Sequence, residues 1–131
     1  MSAPPIRTVA AVIRDADGRV LLVRKRGSTT FIQRGGKRES GEAPLATLAR
    51  ELDEELGVRL VEAERLGEFE DDAANEPGRR VRAEVYRVRI DGEPRACAEI
   101  EELAWIDPQP PFAVRVARLS ARHILPLLPP P

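Results

Sequence analysis

The segment from Gly36 to Val58 reads GKRESGEAPLATLARELDEELGV and predicts a glycine-containing loop followed by an amphipathic helix. Pro44 suits the first turn of a helix, and Gly57 is typical of the residue that ends one. Between them, leucines recur at spacings of three, four and four residues, at Leu45, Leu48, Leu52 and Leu56, with Ala49 beside them. Since such spacing forms one apolar stripe, it predicts the face that packs against the core.

Three carboxylates share a second face of the predicted helix. Glu51, Glu54 and Glu55 fall together because residues three and four positions apart are neighbours on a helix. A solvated acidic surface is one interpretation, since like charges four residues apart cost only about 0.2–0.5 kcal/mol in water. The charge repulsion therefore does not decide between a solvated face and a binding site.

The residues around these carboxylates favour a metal site. Gly35 and Gly36 form a glycine pair before the helix, Glu42 lies near its start, and Arg50 adjoins the first clustered glutamate. Oxygen ligands without a neighbouring Cys or His suit a hard cation such as Mg²⁺ or Mn²⁺. Because Mg²⁺ usually bridges carboxylates to substrate phosphates, the expected substrate is a phosphate ester or anhydride.

The same segment resembles a complete Nudix box. Its fixed positions are Gly36, Glu42, the run Arg50-Glu51-Leu52, the pair Glu54-Glu55 and the pair Gly57-Val58, and every one is filled. The resemblance implies an α+β fold, a Nudix-type α/β/α sandwich with a mixed β-sheet. It also implies MutT-like, divalent-metal-dependent hydrolysis of the diphosphate linkage of a nucleoside diphosphate derivative, by attack of metal-activated water.

The resemblance also implies roles for individual residues. The ligands of Mg²⁺ or Mn²⁺ would be Glu51, Glu54 and Glu55, joined by the backbone carbonyl of Gly35. Arg50 would orient carboxylates through its planar fork, and the supporting residues would be Gly36, Glu42 and Gly57. No side chain needs to form a covalent bond with the substrate.

The general base has several candidates. Glu55 can serve while also contacting metal, and Glu99 resembles a glutamate that some Nudix enzymes place shortly before a late-strand Trp, here Trp105. Glu102 is the alternative, and ordinary acidity of a loop also explains this group. Because clustered carboxylates titrate as a coupled set, their spacing assigns no pKa to any one of them.

One position departs from the family pattern. Nudix boxes commonly have a proline before the paired glycines, whereas this chain has Gln33-Arg34 there. Without proline the approach to the box is less rigid. Arg34 is interpreted either as a solvent-exposed loop residue or as a substrate-phosphate contact, and Lys37 is the other candidate substrate-binding residue.

Length and composition indicate one small globular enzyme. The 131 residues suffice for a single domain over 1–131, with flexible tails expected at 1–5 and 129–131. A net charge of −1, from 21 basic and 22 acidic residues, excludes a general electrostatic attraction to nucleic acid or anionic membrane. The expected partner is a small-molecule nucleotide, and the chain is expected to be a monomer or homodimer.

The remaining sequence features indicate a cytoplasmic location. The single Cys97 has no intrachain partner for a disulfide, and neither a secretory signal nor an apolar run of about 20 residues is visible.

Several further elements follow from periodicity and turn residues. A β-hairpin is predicted from 8–13 and 20–23 around a turn at 15–18, with further strands at 29–32, 58–69, 81–90 and 103–106, and a closing helix at 114–125. A mixed sheet with helices packed on it follows from this order.

Substrate choice is left open by the sequence. Residues 71–80 either fold over a substrate or simply join two strands. Nudix enzymes for ADP-ribose or dinucleoside polyphosphates often carry Pro or Tyr where this chain has Ala73 and Ala74, which favours a nucleoside triphosphate or related small nucleotide. ADP-ribose or another nucleotide sugar is the alternative substrate. A catalytically silent nucleotide-sensing or interaction domain is the alternative function.

Overall fold

The computed structural model describes residues 3–130 as strands, helices and connecting turns. In chain order the elements are β1 (Ile6–Val12), β2 (Val20–Lys25), β3 (Phe31–Ile32), β4 (Arg34–Lys37), α1 (Pro44–Leu56), β5 (Arg59–Asp72), β6 (Arg80–Asp91) and β7 (Ile100–Ile106). A closing helical segment at 118–127 contains a π-helical turn, Ser120–Ile124, and a 3₁₀ turn, Leu125–Leu127. Residues 1, 2 and 131 of the predicted flexible tails lie outside the described residues.

The strands form two sheets. The first has the order β4-β1-β6-β5, in which β1 and β6 are parallel and the other pairs are antiparallel. The second has the order β3-β2-β7 and is antiparallel throughout. The predicted mixed sheet is therefore confirmed.

The core lies on both faces of the central strands. Along β1, Val9 and Ala11 pack with the leucines of α1, whereas Ala10 and Val12 pack with Ile124 of the closing helical segment. Burial on both faces explains why β1 and β2 read as continuous apolar runs. The arrangement is the predicted α/β/α sandwich, with α1 on one side and the closing helical segment on the other.

The predicted β-hairpin between β1 and β2 is wrong. The turn itself forms, since the Gly18 N–H donates to the Asp15 carbonyl at 3.0 Å. However, β1 pairs with β4 and β6, and β2 pairs with β3 and β7. The two strands are linked at their ends by an isolated antiparallel bridge between Arg14 and Val20 and by a hydrogen bond from the Leu21 N–H to the Ile13 carbonyl at 2.9 Å. Both strands are apolar on both faces, and each contributes alternate residues to the same two core clusters while belonging to a different sheet.

The predicted closing helix begins later than expected. Val116 forms a parallel bridge with Phe31, and the Phe31 N–H donates to the Arg115 carbonyl at 2.7 Å. Residues 115–117 are therefore extended beside β3, and the helical segment starts only at residue 118.

The charged face of β6 is neutralised by β5. Cross-strand ion pairs join Arg80 to Glu70, Arg82 to Glu68, Arg87 to Glu64 and Arg89 to Glu62. Within residues 3–130, no helix has both the length and the apolarity needed to cross a bilayer.

Candidate active site

Helix α1, which carries the three predicted metal ligands, has a well-defined end and a well-defined buried face. Gly57 ends the helix in the left-handed region at φ 67°, and its N–H donates to the Asp53 carbonyl at 3.0 Å. The side chains that α1 buries are Thr47, Leu48, Leu52, Glu55 and Leu56. The predicted apolar stripe is wrong at its first residue, because Leu45 is 45% exposed and Thr47 is buried in its place.

Arg50 holds two carboxylates at the start of the site. Its Nε and Nη2 donate to Glu42 at 2.9 Å each, in a bidentate pair, and its Nη1 donates to Glu51 Oε1 at 3.1 Å. The Thr47 hydroxyl donates to Glu42 at 2.7 Å. The predicted supporting role of Glu42 thus has a geometric basis, since Glu42 fixes the guanidinium that contacts Glu51.

The stability of the protein should depend on the ionisation of Glu42. Hydrogen bonds from Arg50, then Thr47, lower the pKa of Glu42 from 4.5 to about 2. The folded state therefore gains stability from ionised Glu42 above about pH 4.5, and we expect this contribution to be lost as the pH falls towards 2. Chemical denaturation of wild type and Glu42→Gln across this range should show a stability difference that shrinks towards low pH. A difference independent of pH would contradict the assignment.

The paired glycines lie in a strand rather than in a loop. Gly35 and Gly36 belong to β4, opposite Ala10 and Val9 of β1. A Cβ at Gly36 would overlap the carboxyl end of Glu51, and a Cβ at Gly35 would overlap the backbone of Val9. Gly36 therefore leaves the space in which Glu51 sits. The role of the Gly35 carbonyl as a metal ligand stays a prediction.

Arg34 lies beneath the acidic face of α1. The interpretation of Arg34 as a solvent-exposed loop residue is wrong, since its side chain is only 2% exposed. Its Nη2 lies 3.5 Å from Glu51 Oε2, and its Nη1 lies 3.9 Å from Glu55 Oε2. The direct phosphate contact stays a prediction, but the neighbours that the structure gives Arg34 are carboxylates.

The three predicted ligands differ in their surroundings. The Glu51 and Glu55 side chains are 12% and 8% exposed, whereas Glu54 is 53% exposed and lies 3.6 Å from Arg50 Nη1. Burial raises the pKa of Glu55, and the charge of Arg34 opposes this. Within residues 3–130, no three His, Cys, Asp or Glu side chains converge as a ready metal cluster. Arg50 contacts both Glu51 and Glu54, and Arg34 contacts both Glu51 and Glu55.

The segment that precedes Glu99 is hydrogen-bonded to the carboxyl end of α1. The backbone N–H groups of Arg95 and Cys97 donate to the carbonyls of Leu56 and Glu55 at 2.9 and 3.0 Å, which docks the segment before β7 against the helix. Glu99 pairs with Lys25 Nζ at 3.5 Å, and its charge acts on the pKa of Glu55. Glu102 instead pairs with Arg24 at 3.1 Å. The geometry therefore favours Glu99 over Glu102 as the second acidic group of the site.

A cleft of about 140 Å³ lies on the other side of the paired glycines. Its walls are mainly aliphatic, from Ile6, Val9, Ile32, Val81, Ala117 and Leu119, and its lining includes Gly35 and Gly36. Because Gly36 also contacts Glu51, the cleft and the carboxylates are neighbours. None of the five aromatic residues contributes to this lining.

The β5–β6 connection forms one rim of the cleft. Its Glu76 pairs with Lys37 Nζ at 3.3 Å, and its Asn75 accepts from the Ser28 hydroxyl at 2.7 Å. Ala73 and Ala74 line the cleft directly. This connection therefore joins two strands and also borders the cleft, and Lys37 lies at its edge.

Gln33 is a cleft residue that sequence analysis did not select. Its Nε2 donates to the Ala11 carbonyl at 3.1 Å, which orients the amide and leaves Oε1 buried without a hydrogen-bond partner. A buried carbonyl oxygen without a donor is costly, so it indicates a place for a donor from a ligand. Only the three-dimensional structure reveals this orientation, although a polar residue directly after the apolar pair Phe31–Ile32 was a visible signal.

His123 and Asp71 form a separate contact under the closing helical segment. His123 Nε2 lies 3.1 Å from Asp71 Oδ2, and the imidazole stacks on Phe69 with ring centroids 5.9 Å apart. His123 is thus a packing residue of the closing helical segment.

The comparison with known proteins establishes the family. Residues 4–128 match the model of the NUDIX domain. The chain belongs to the Nudix family. This Nudix chain is 30% identical over 127 residues to a MutT-like protein of Streptomyces ambofaciens, covering 95% of the chain and 79% of that relative.

One further relative and one solved structure also support membership of the Nudix family. An 8-oxo-dGTP diphosphatase of Haemophilus influenzae is 35% identical over 69 residues, which are 50% of this Nudix chain and 51% of the relative. The crystal structure of a MutT NUDIX hydrolase from Burkholderia pseudomallei matches with a TM-score of 0.76 at 26% identity, covering 95% and 98% of the two chains. The chain is therefore a Nudix pyrophosphohydrolase, an enzyme that hydrolyses nucleotide diphosphate linkages.

The Nudix carboxylates fit the divalent cation that the family generally uses. Glu55 Oε2 is buried without a hydrogen-bond partner, so one lone pair that burial has desolvated is free for a ligand. Carboxylate oxygens without Cys or His are the donor set that Mg²⁺ and Mn²⁺ prefer.

Proposed function

We propose that this enzyme hydrolyses the diphosphate linkage of a nucleoside triphosphate or related small nucleotide, with Mg²⁺ or Mn²⁺ held by Glu51, Glu54 and Glu55. The observation that carries the proposal is the unpartnered, buried oxygen of Glu55, on a helix whose neighbouring Glu51 adjoins Gly36 in the lining of the cleft. The buried acid supplies a ligand atom, and the cleft supplies room for the organic part of a substrate.

The cation and individual side chains would have separate roles in the reaction. A bound cation would supply a more acidic water and neutralise charge that develops on the phosphate oxygens. Arg50, fixed by Glu42 and Thr47, keeps Glu51 in place during turnover. Lys37, at the edge of the cleft, is available to a phosphate when its pair with Glu76 opens.

Glu55 is the general base in this proposal, and Glu99 assists it. Burial raises the pKa of Glu55, which makes the carboxylate a better proton acceptor than an ordinary glutamate. In the reaction, the water oxygen would form a new bond to phosphorus, one of its protons would pass to Glu55 and the other would stay on the new P–O–H group. The bridging P–O bond would break with its electron pair leaving on the departing phosphate oxygen. Glu99 lies where its charge favours the protonated form of Glu55.

The cleft is suited to part of a nucleotide rather than to the whole molecule. Its volume of about 140 Å³ is smaller than the roughly 300–1,000 Å³ of pockets that enclose drug-sized ligands. We place the nucleobase in it, so that the phosphates extend past Gly36 towards the carboxylates. The small Ala73 and Ala74 at the rim leave space and carry no ring to stack on a second group.

Gln33 would accept a hydrogen bond from an N–H of the base. Replacing Gln33 with leucine should raise KM for the nucleotide about three- to tenfold, because one buried hydrogen bond is lost, while kcat changes little. Steady-state kinetics measure this effect, and an unchanged Mn²⁺ affinity is the control that the metal site is intact. An equal fall in kcat with constant KM would exclude the base contact.

A panel of nucleotides tests the proposed function. Nucleoside and deoxynucleoside triphosphates, ADP-ribose and nucleotide sugars are incubated with Mg²⁺ or Mn²⁺, and products are separated by chromatography. The proposal expects a triphosphate to give the monophosphate and pyrophosphate. Preferential cleavage of ADP-ribose or a nucleotide sugar would overturn the substrate choice. Tight binding without hydrolysis of any compound would instead favour a silent sensing domain.

A further inference from the structure

Arg34 places a permanent positive charge among the carboxylates proposed to hold a cation. It begins β4, at the position where the family pattern usually has proline. Its side chain is buried, and Glu51 and Glu55 are its ion-pair partners within the described residues. A buried guanidinium has a high desolvation cost, so its position next to these two acids requires an explanation.

The contacts of Arg34 offset the negative charge of Glu51 and Glu55, but they leave an oxygen of Glu55 without a hydrogen bond. Arg34 Nη2 lies 3.5 Å from Glu51 Oε2, at the outer limit of a hydrogen bond, and the 3.9 Å contact to Glu55 is beyond it. Arg34 Nε and Nη1 and Glu55 Oε2 are all buried without hydrogen-bond partners. The pairing is therefore mainly electrostatic, and the Glu55 oxygen stays available to another ligand.

We propose that Arg34 is an internal counter-cation of the metal site, which stabilises Glu51 and Glu55 in the metal-free protein and weakens their binding of a free divalent cation. The inference rests on the proposed metal-binding role of these glutamates. Its physical basis is that one fixed positive charge offsets part of the attraction that the two buried carboxylates exert on a second cation.

Removal of the charge should therefore tighten cation binding. Mn²⁺ is titrated into the metal-free protein at about pH 8, and free Mn²⁺ is followed by electron paramagnetic resonance. Arg34→Met and Arg34→Gln should bind Mn²⁺ roughly tenfold or more tightly than wild type, whereas Arg34→Lys should remain close to wild type because it keeps the charge.

Arg87→Met is the matched control. It also removes one arginine from an ion pair, with Glu64 at 3.0 Å, but on the exposed β5–β6 face. We expect it to change the Mn²⁺ affinity less than about twofold. Neutral Arg34 variants with a wild-type affinity, or an equal gain in Arg87→Met, would overturn the role of Arg34.

Thermal unfolding separates electrostatics from simple packing. Loss of the counter-cation should lower the melting temperature of the metal-free protein more than that of the Mn²⁺-bound protein. Saturating Mn²⁺ should therefore raise the melting temperature of Arg34→Met by more than it raises that of wild type. Equal losses with and without Mn²⁺, or failure of both neutral variants to fold even in saturating Mn²⁺, would indicate a packing role and refute the inference. If wild type itself binds no Mn²⁺, the proposed metal function fails instead.

Discussion

Replacing Glu54 with glutamine should lower kcat at least about a hundredfold, because it removes one ligand charge from the proposed cation site. Glu54 is half-exposed on α1, so the substitution leaves the buried leucines of the helix untouched. The expected protein is folded and nearly inactive. Initial rates with the preferred nucleotide, together with circular dichroism, measure the two properties separately.

Asp53→Asn provides the matched control for this experiment. Asp53 is an exposed carboxylate one position away on the same helix, and it is not part of the box pattern. Its neutralisation should change kcat less than about threefold, since only a general surface charge is lost. Near-normal turnover in folded Glu54→Gln, or equal losses in both variants, would remove Glu54 from the proposed ligand set.

The paired glycines should respond very differently to alanine. A Cβ at Gly35 overlaps the backbone of Val9, which has no room to move within the β1–β4 ladder. We therefore expect Gly35→Ala to destabilise the protein by about 3 kcal/mol or more. At Gly36 the overlap is with the flexible end of Glu51, so Gly36→Ala should cost less stability but displace a proposed ligand and lower kcat strongly.

Denaturant unfolding and kinetics on both variants check this distinction. Gly41→Ala is the control for the general effect of adding a methyl group at a glycine, because Gly41 has φ 76° and open space around it. Its cost should be about 1–2 kcal/mol, with kcat unchanged. If Gly36→Ala kept wild-type kcat, Glu51 would not need the position that the glycine allows.

The site helix could be predicted from sequence because its signals are local. Pro44, Gly57 and the leucine spacing each act within one or two turns, and the three glutamates follow from helical geometry. The prediction that Leu45 packs against the core is wrong for a related reason. The spacing identifies one side of a helix, but it does not show how far the core extends along that side, and at this end the core reaches Thr47 instead.

The sheet partners and the position of Arg34 could not be predicted in the same way. Pairing of β1 with β6, more than seventy residues away in sequence, depends on how the two apolar faces are covered, and a turn next to β1 says nothing about it. Arg34 is polar and adjoins glycines, which is typical of an exposed loop. Its burial follows only from the ladder of β4 with β1, which directs the side chain under α1.

Gln33 illustrates the same limit for the substrate cleft. Its orientation depends on a hydrogen bond to Ala11 across the sheet, and the unpartnered oxygen follows from that bond. The reaction class could be inferred from one contiguous motif, whereas the residues proposed to contact the nucleobase come from several strands and a connection.

The metal dependence of hydrolysis tests the proposed mechanism at its first requirement, a bound divalent cation. The enzyme is freed of metal with a chelator, and release of pyrophosphate from the preferred nucleotide is followed before and after Mg²⁺ or Mn²⁺ is restored. We expect no turnover without a divalent cation and recovery on its addition, in wild type but not in Glu54→Gln. Turnover that persists undiminished in excess chelator would contradict the proposed mechanism.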